Sequence, residues 1–234
     1  MNRYQKDDRT SYSLGMSLTI ELLKQHPDKV RKLLLSGKAV RNSQLDLLLD
    51  LCRKNGIVPE YDDQLIEKLS VKENCYCIGV FDKYSQEAEE GNHVVLYGFG
   101  DFGELGTVLR TSVSFDFKDI ILIGSELDYF DPRCIRASMG SFFHCRISSY
   151  RDLDAYLKDH PGRNLLPFVS EGSKELSDLV LNEPYALMIS QDYNGLDQMK
   201  DIGYYVEHKE KKEISLSVRS SIILAHAYYL NLKR

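Results

Sequence analysis

A glycine-rich segment, Gly98 to Gly103 (GFGDFG), is the first part of the sequence whose residue types suggest ligand chemistry. Closely spaced glycines let the backbone approach a phosphate group, so the segment raises the hypothesis of a nucleotide-binding α/β enzyme. It lacks the Gly-Lys-Ser/Thr ending of a P-loop, and its glycines fit the dinucleotide-binding spacing poorly. This hypothesis is therefore the weakest of those that the sequence supports.

The cysteines and histidines are the residues that could bind a metal ion. The five cysteines are odd in number and lie in apolar segments, and only Cys75 and Cys77 are close together. A zinc site needs more thiols, or histidines in finger spacing, near such a pair. The pattern predicts reduced, buried thiols in a cytoplasmic protein and no metal site. The full set is Cys52, Cys75, Cys77, Cys134 and Cys145.

The formal net charge of −5 bears on possible partners. A protein that grips nucleic acid through phosphates usually has a basic surplus, so the overall charge argues against an extensive RNA-binding surface. No apolar run approaches the roughly 18 residues of a membrane span, and the polar N-terminus is not a secretory signal, so we expect no membrane partner. Local basic clusters are predicted to be solvated faces: Lys29, Arg31 and Lys32; Lys38 and Arg41; Lys209, Lys211 and Lys212.

The elements that must position a site fall into two groups. Apolar periodicity alternates between helix and strand over residues 1–81, which predicts a small α/β domain, and the polar, acidic stretch 82–92 predicts a linker. From residue 93, apolar strands such as DIILI at 119–123 alternate with helices, which predicts a mainly parallel sheet. Ligands bind at the carboxyl ends of such strands, so the candidate loops are 98–106, 124–131, 170–173 and 190–196.

Three segments of this second domain resemble the motifs of the SpoU (TrmH-type) RNA 2′-O-ribose methyltransferases. Residues 101–110 (DFGELGTVLR) match the motif Asp-Pro-x-Asn-x-Gly-x-x-x-Arg at Asp101, Gly106 and Arg110. The ungapped stretch 111–147 also resembles the family closely. Residues 190–196 (SQDYNGL) resemble Gly-x-Glu-x-x-Gly-Leu, and residues 215–218 (SLSV) resemble Ser-Leu-Asn-Val.

The resemblance covers nearly the whole chain and implies a fold, a cofactor and partners. It implies a trefoil-knotted, mainly parallel α/β domain of the SPOUT type at residues 93–234, preceded by an RNA-recognition-like domain at 1–81. In this family the knotted loops hold S-adenosylmethionine and two protomers pair as a homodimer. The expected substrate is tRNA or rRNA, with no DNA partner.

The resemblance also implies site residues. Arg110 is expected to orient the ribose 2′-hydroxyl and to stabilise the developing alkoxide, with Glu104 and Ser217 as the other catalytic positions. A guanidinium stays charged in ordinary sites, so the sequence leaves the proton acceptor open. The expected cofactor-binding residues are Ser170, Ser190, Gln191, Asp192, Gly195, Leu196, Ser215 and Leu216.

Several of these positions depart from the family motifs. Glu104 and Ser217 stand where the motifs have Asn, Ser190 where they have Gly, and Asp192 where they have Glu. A carboxylate at Glu104 could pair with Arg110 and would repel RNA phosphate, so restoring Asn there is expected to strengthen methylation. Two hypotheses follow: a divergent but active methyltransferase, and an impaired homologue that acts as an RNA-binding or dimeric interaction protein.

Overall fold

The structure of the chain is a computed structural model that describes residues 2–70, 74–170, 172–190, 198–207 and 214–233. Within these residues the strands are β1 (Thr10–Leu14), β2 (Val30–Leu35), β3 (Glu60–Tyr61), β4 (Cys77–Asp82), β5 (His93–Tyr97), β6 (Asp119–Ile123), β7 (Arg146–Tyr150), β8 (Asn164–Phe168), β9 (Lys174–Glu175), β10 (Tyr185–Ser190) and β11 (Tyr204–Tyr205). The helices are α1 (Met16–Gln25), α2 (Ser43–Lys54), α3 (Asp63–Leu69), α4 (Phe102–Ser114), α5 (Pro132–Ala137), α6 (Leu153–Asp159), α7 (Gln198–Ile202) and α8 (Leu216–Leu232).

The chain divides into two units that are discontinuous in sequence. The first unit comprises Met1–Tyr84 and Asp128–His144, and the second comprises Ser85–Leu127 and Cys145–Arg234. The predicted domains, residues 1–81 and 93–234, differ from these units because residues 128–144 pack with the first one. That segment contains α5, which lies against β1.

The first unit contains a four-stranded sheet in the order β1-β4-β2-β3. Strand β4 pairs antiparallel with β1 and β2, whereas β2 pairs parallel with β3. Strand β1 is not evident from hydropathy because Ser11 and Ser13, both fully buried, alternate with apolar neighbours. Their hydroxyls are satisfied internally: Ser11 donates to the Phe130 carbonyl, and Ser13 Oγ lies 2.9 Å from the Thr19 hydroxyl.

The second unit contains a seven-stranded sheet in the order β7-β6-β5-β10-β8-β11-β9. Every recorded strand pair in it is parallel, which confirms the predicted sheet type. In register, Tyr97 lies opposite Ser190 and Ile123, so the carboxyl ends of β5, β6 and β10 meet at one edge. The trefoil knot depends on the path of residues 191–197 and 208–213; these lie outside the described residues, and the knot stays a prediction.

Helices α4 and α8 pack against each other in the second unit. The hydroxyl oxygens of Thr111 and Ser221 lie 3.2 Å apart, and the rings of Phe115 and Tyr228 have centroids 5.5 Å apart. From the first contact to the second, the residue number rises on both helices, so the two helices run in the same direction. Their first turns therefore lie at the same end of the pair. Among the described residues, no helix has both the length and the apolar character to cross a lipid bilayer.

His93, the first residue of β5, is a buried titratable group whose two ring nitrogens both have hydrogen-bond partners. Its Nδ1 lies 2.9 Å from the Tyr156 hydroxyl and its Nε2 lies 2.8 Å from the carbonyl oxygen of Glu89. The carbonyl can only accept, so Nε2 carries the proton and Nδ1 accepts from the tyrosine. Burial is the main cause that lowers the pKa of His93 to about 4. The imidazole is therefore a neutral part of the core.

Candidate functional site

The carboxyl ends of β8 and β10 are held together by a buried arginine of α8. Arg219 has 4% of its surface exposed. Its Nη1 donates to Ser170 Oγ at 2.9 Å, and its Nη2 donates to the carbonyl oxygen of Ser190 at 3.0 Å. One side chain thus joins the residue that ends β10, the segment just after β8 and the first turns of α8.

Ser190 uses its side chain within the sheet. It is the last residue of β10, has 1% of its surface exposed, and donates from Oγ to the carbonyl oxygen of Tyr97 at 3.0 Å. That carbonyl belongs to the last residue of β5. The serine that stands at the family's glycine position therefore ties two strand ends together through its hydroxyl.

Two glycines allow close backbone packing beside the same edge. A Cβ atom on Gly172 would lie 2.4 Å from the carbonyl oxygen of Gly203, and one on Gly203 would lie 2.5 Å from the carbonyl oxygen of Met199. Both distances are far below contact distance, so only glycine fits at these positions. Ser173 adds a hydrogen bond from its Oγ to the Asp201 carbonyl at 2.8 Å. The connection after β8 is thereby fixed against the end of α7.

The first turn of α8 supplies hydroxyl groups. Ser215 is the N-cap, and its Oγ accepts a hydrogen bond from the Val218 N–H at 3.4 Å. Its Oγ also lies 3.2 Å from Ser217 Oγ. The side chain of Leu216 is buried, so at this position the backbone is the part that a ligand could contact. Arg219, two residues after Ser217, links this turn to Ser170 and Ser190.

Helix α4 carries the two other predicted catalytic residues. Asp101 is its N-cap and accepts from the backbone N–H of Glu104 at 2.8 Å. Arg110 is exposed and Glu104 is partly buried. They are six residues apart on one helix, which places their side chains about 120° apart around its axis. No ion pair joins them in the described part of the chain. The pairing expected from the sequence is wrong, because only residues three or four apart on a helix are neighbours.

The structure thus brings five of the predicted site residues to one region: Ser170, Ser190, Ser215, Leu216 and Ser217. Arg110 and Glu104 lie on the helix that packs beside α8. Gln191, Asp192, Gly195 and Leu196 lie outside the described residues. Sequence reasoning missed Arg219. The available signal was a lone arginine in an otherwise apolar and small-residue helix, since such a charge is buried only with partners.

The described residues contain no group of three or more His, Cys, Asp and Glu side chains arranged to hold a metal ion. Four of the five cysteines are buried and Cys75 is partly exposed, in keeping with the expected burial. Burial raises the pKa of the Cys77 and Cys145 thiols to about 12. Because the thiolate is the nucleophile and the metal ligand, these two cysteines are inert.

Comparison with known proteins agrees with this architecture. The profile of the SpoU rRNA Methylase family matches residues 91–201. The chain is 22% identical over 133 residues to the 23S rRNA (guanosine(2553)-2′-O)-methyltransferase RlmP of Bacillus subtilis (strain 168). That match covers 54% of this chain and 53% of the relative, so the chain spans about half the length of the curated relative.

Solved structures share the fold over nearly the whole chain. The SpoU methyltransferase AviRb from Streptomyces viridochromogenes, in complex with the cofactor AdoMet, has a TM-score of 0.78 and 14% identity, covering 97% of this chain and 92% of that one. The AdoMet-bound rRNA methyltransferase from Sinorhizobium meliloti has a TM-score of 0.75 and 20% identity, covering 95% and 88% of the two chains. Together with the profile match over residues 91–201, these likenesses confirm the resemblance to the SpoU family that the motifs show.

Proposed function

We propose that this chain transfers a methyl group from S-adenosylmethionine to the 2′-hydroxyl of a ribose in tRNA or rRNA. The observation that carries the proposal is the convergence of Ser170, Ser190 and the first turn of α8 around Arg219. These segments are far apart in sequence and meet at the carboxyl edge of a parallel sheet, where such folds bind their ligands. The reaction class comes from the profile match over residues 91–201 and from the names of the similar methyltransferases.

The residues at this edge fit a nucleoside cofactor. The hydroxyl groups of Ser170, Ser215 and Ser217 can donate to and accept from the polar groups of a ribose or an amino acid. Gln191, Asp192, Gly195 and Leu196 are proposed to complete the site from the segment after β10. When bound, S-adenosylmethionine supplies an electrophilic methyl carbon. The chain's own contribution is to bind and align the two reactants.

Arg110 is proposed to act on the ribose. As the 2′-hydroxyl attacks, its oxygen gains negative charge, and a nearby guanidinium stabilises that charge. A guanidinium donates hydrogen bonds and accepts none, so Arg110 is proposed to orient and stabilise the oxygen while another group accepts the proton. The supporting observation is that the hydroxyl oxygen of Thr111, the residue after Arg110, lies 3.2 Å from that of Ser221, one helical turn after Ser217 on α8.

Calorimetric titration with S-adenosylmethionine tests this function. We expect saturable binding and a higher melting temperature with cofactor, because a ligand that binds only the folded state stabilises it. Transfer of a labelled methyl group to tRNA or rRNA, followed by digestion to nucleosides, then identifies the modified ribose. Absence of heat and of thermal shift at about millimolar cofactor would leave the second hypothesis, an impaired homologue that binds RNA or its own copy.

We also propose that the chain pairs with a second copy through α8. Exposed apolar side chains recur along this helix at intervals of four, seven and three residues: Val218, Ile222, Tyr229 and Leu232. The opposite side of the helix, at Ile223, Leu224 and Ala227, is buried. A helix that is apolar on both sides is stabilised when the exposed stripe is also covered. The spacing of the stripe suits an identical helix as the partner.

A further inference from the structure

The first unit contains a cavity lined by three arginines, and two of them, Arg3 and Arg136, have no carboxylate within ion-pairing distance among the described residues. The cavity has a volume of about 300 Å³ and lies between the N-terminal segment and α5. It is lined by Arg3, Tyr4, Tyr12, Leu14, Leu69, Asp131, Pro132, Arg133 and Arg136. We call these residues the arginine groove.

Several other basic residues of the first unit are each paired with a carboxylate. The two clusters singled out in the sequence and described in the structure are paired with carboxylates at 2.6–3.2 Å: Lys29 with Asp28, Arg31 with Asp82, Lys32 with Glu60, Lys38 with Glu67 and Arg41 with Asp46. Arg133 of the groove is also paired, through two hydrogen bonds to Asp131 at 3.0 and 2.8 Å. Arg3 and Arg136 therefore hold the uncompensated positive charge of the groove.

An aromatic ring lies beside this charge. Tyr4 is half-buried, its ring centroid is 6.4 Å from that of Tyr12, and its hydroxyl donates to Asp128. The Lys83 ammonium lies 4.8 Å from the Tyr4 ring centroid. Proteins bind single-stranded RNA with such a combination, an aromatic ring for base stacking and guanidinium groups for phosphate contacts. Within the described part of the chain, neither guanidinium is neutralised by a carboxylate, and Arg3 donates only to the Lys68 carbonyl oxygen at 3.4 Å.

We propose that the arginine groove binds a single-stranded segment of the substrate RNA, with phosphates on Arg3 and Arg136 and a base against Tyr4. The proposal rests on the function proposed above and extends it to a surface outside the unit that holds the predicted cofactor site. It also explains how a chain with a net charge of −5 can hold RNA. Three arginines and one carboxylate, Asp131, line the groove, so its local charge is positive although the charge of the whole chain is negative.

The test measures binding of a fluorescein-labelled single-stranded RNA of about 16 nucleotides as a function of salt. The variant carries Arg3→Ala and Arg136→Ala. We expect its slope of log affinity against log salt to fall by about 1.4, or about 0.7 per lost phosphate contact, which is about 25-fold in affinity at about 0.1 M salt. Tyr4→Leu should lower affinity about tenfold, whereas Tyr4→Phe, which keeps the ring, should not.

The matched control carries Arg31→Ala and Arg41→Ala, which changes the net charge equally but removes arginines that are paired with Asp82 and Asp46. We expect this control to bind RNA like the unaltered chain. Equal losses in both variants, or no loss in either, would overturn the proposal. So would a groove variant that binds RNA normally but fails to methylate a ribosomal particle, because the groove would then contact a protein.

Titration of the same preparations with S-adenosylmethionine separates the two proposals. The groove variant should bind the cofactor like the unaltered chain, since Arg3 and Arg136 belong to the other unit. One outcome is that the unaltered chain binds no cofactor while the salt slopes of the unaltered chain and the groove variant differ as expected. That result would contradict the proposed methyltransferase function and support RNA binding by the groove. If the cofactor binds and the salt slopes of the two proteins do not differ, only the proposal that the groove binds RNA is contradicted.

Discussion

The guanidinium of Arg219 lies 3.0 Å from the carbonyl oxygen of Ser190, so a residue near the start of the C-terminal helix holds the end of a central strand. A hydrogen bond from a charged donor contributes about 1.5–3 kcal/mol to stability when its partner is buried. The same guanidinium also binds the hydroxyl of Ser170. Loss of this side chain would therefore loosen three segments of the predicted cofactor site at once.

Arg219→Ala is expected to lower both stability and cofactor affinity. Removal of the guanidinium leaves the buried Ser190 carbonyl without this donor, which costs about 1–3 kcal/mol. Arg219→Lys keeps the charge and one donor and should restore part of the cofactor affinity. The measurements are the free energy of unfolding and the Kd for S-adenosylmethionine at a temperature where each variant is folded. Normal cofactor affinity in folded Arg219→Ala would restrict Arg219 to a role in stability.

Arg110→Ala is expected to lower kcat about 100- to 1000-fold and to leave cofactor affinity unchanged, because the guanidinium acts on charge that develops in the transition state. Single-turnover methyl transfer at saturating RNA, together with a cofactor titration, measures the two effects separately. Arg41→Ala, which removes an exposed arginine of the first unit, serves as the control. A parallel loss of cofactor binding in Arg110→Ala would show that Arg110 belongs to the cofactor pocket.

Glu104→Asn is expected to raise RNA affinity about two- to fivefold at low salt, because it removes a negative charge that repels phosphate. The gain does not depend on a released Arg110, since the two side chains lie about 120° apart around α4. Glu104→Gln should give the same gain, and salt should erase it in both variants. If Glu104→Asn lowers kcat as much as Arg110→Ala does, Glu104 takes part in the chemistry.

His93 makes stability depend on pH between about 6.5 and 4. Burial lowers the pKa of this histidine to about 4 in the folded chain, against 6.5 in the unfolded chain. The unfolded chain therefore takes up a proton first as the pH falls. The contribution is complete above pH 6.5 and is lost progressively towards pH 4. At about 1.4 kcal/mol per pKa unit, the loss reaches about 3 kcal/mol.

His93→Gln isolates this contribution. The amide can still donate to the Glu89 carbonyl and does not titrate. Denaturant unfolding at several pH values should give a difference between the two proteins that shrinks as the pH falls from 6.5 to 4. A difference that stays constant over this range would show that His93 is protonated in the folded chain as readily as in the unfolded one.

Ile222→Glu is expected to convert a dimer into monomers without unfolding the chain, because it places a charge on the exposed side of α8. Light scattering after size-exclusion chromatography measures the change. Ser114→Glu, on the exposed end of α4, is a suitable control. An unaltered chain that is monomeric at about 100 µM would contradict pairing through α8.

The strands of the second unit and their parallel arrangement follow from the sequence because runs such as DIILI and YALMI are apolar throughout. Strand β1 does not follow, since it buries Ser11 and Ser13, whose hydroxyls are satisfied by partners distant in sequence. The motifs identify Ser170, Ser190 and Ser215 as site residues one by one. The hydrogen bonds from Arg219 to Ser170 and Ser190 could not be predicted. Apolar periodicity assigns a residue to one face of a helix, but it does not show which residues that face contacts.

The alternation of the two units along the chain has a mechanical consequence. The backbone passes between them three times, after Tyr84, after Leu127 and after His144. A single protease cut in the polar stretch 83–92 would therefore leave two covalent connections intact. Release of the first unit as a free fragment requires three cuts, and residues 1–84 expressed alone would lack α5, which covers β1. Residues 1–84 alone are therefore an incomplete form of the first unit.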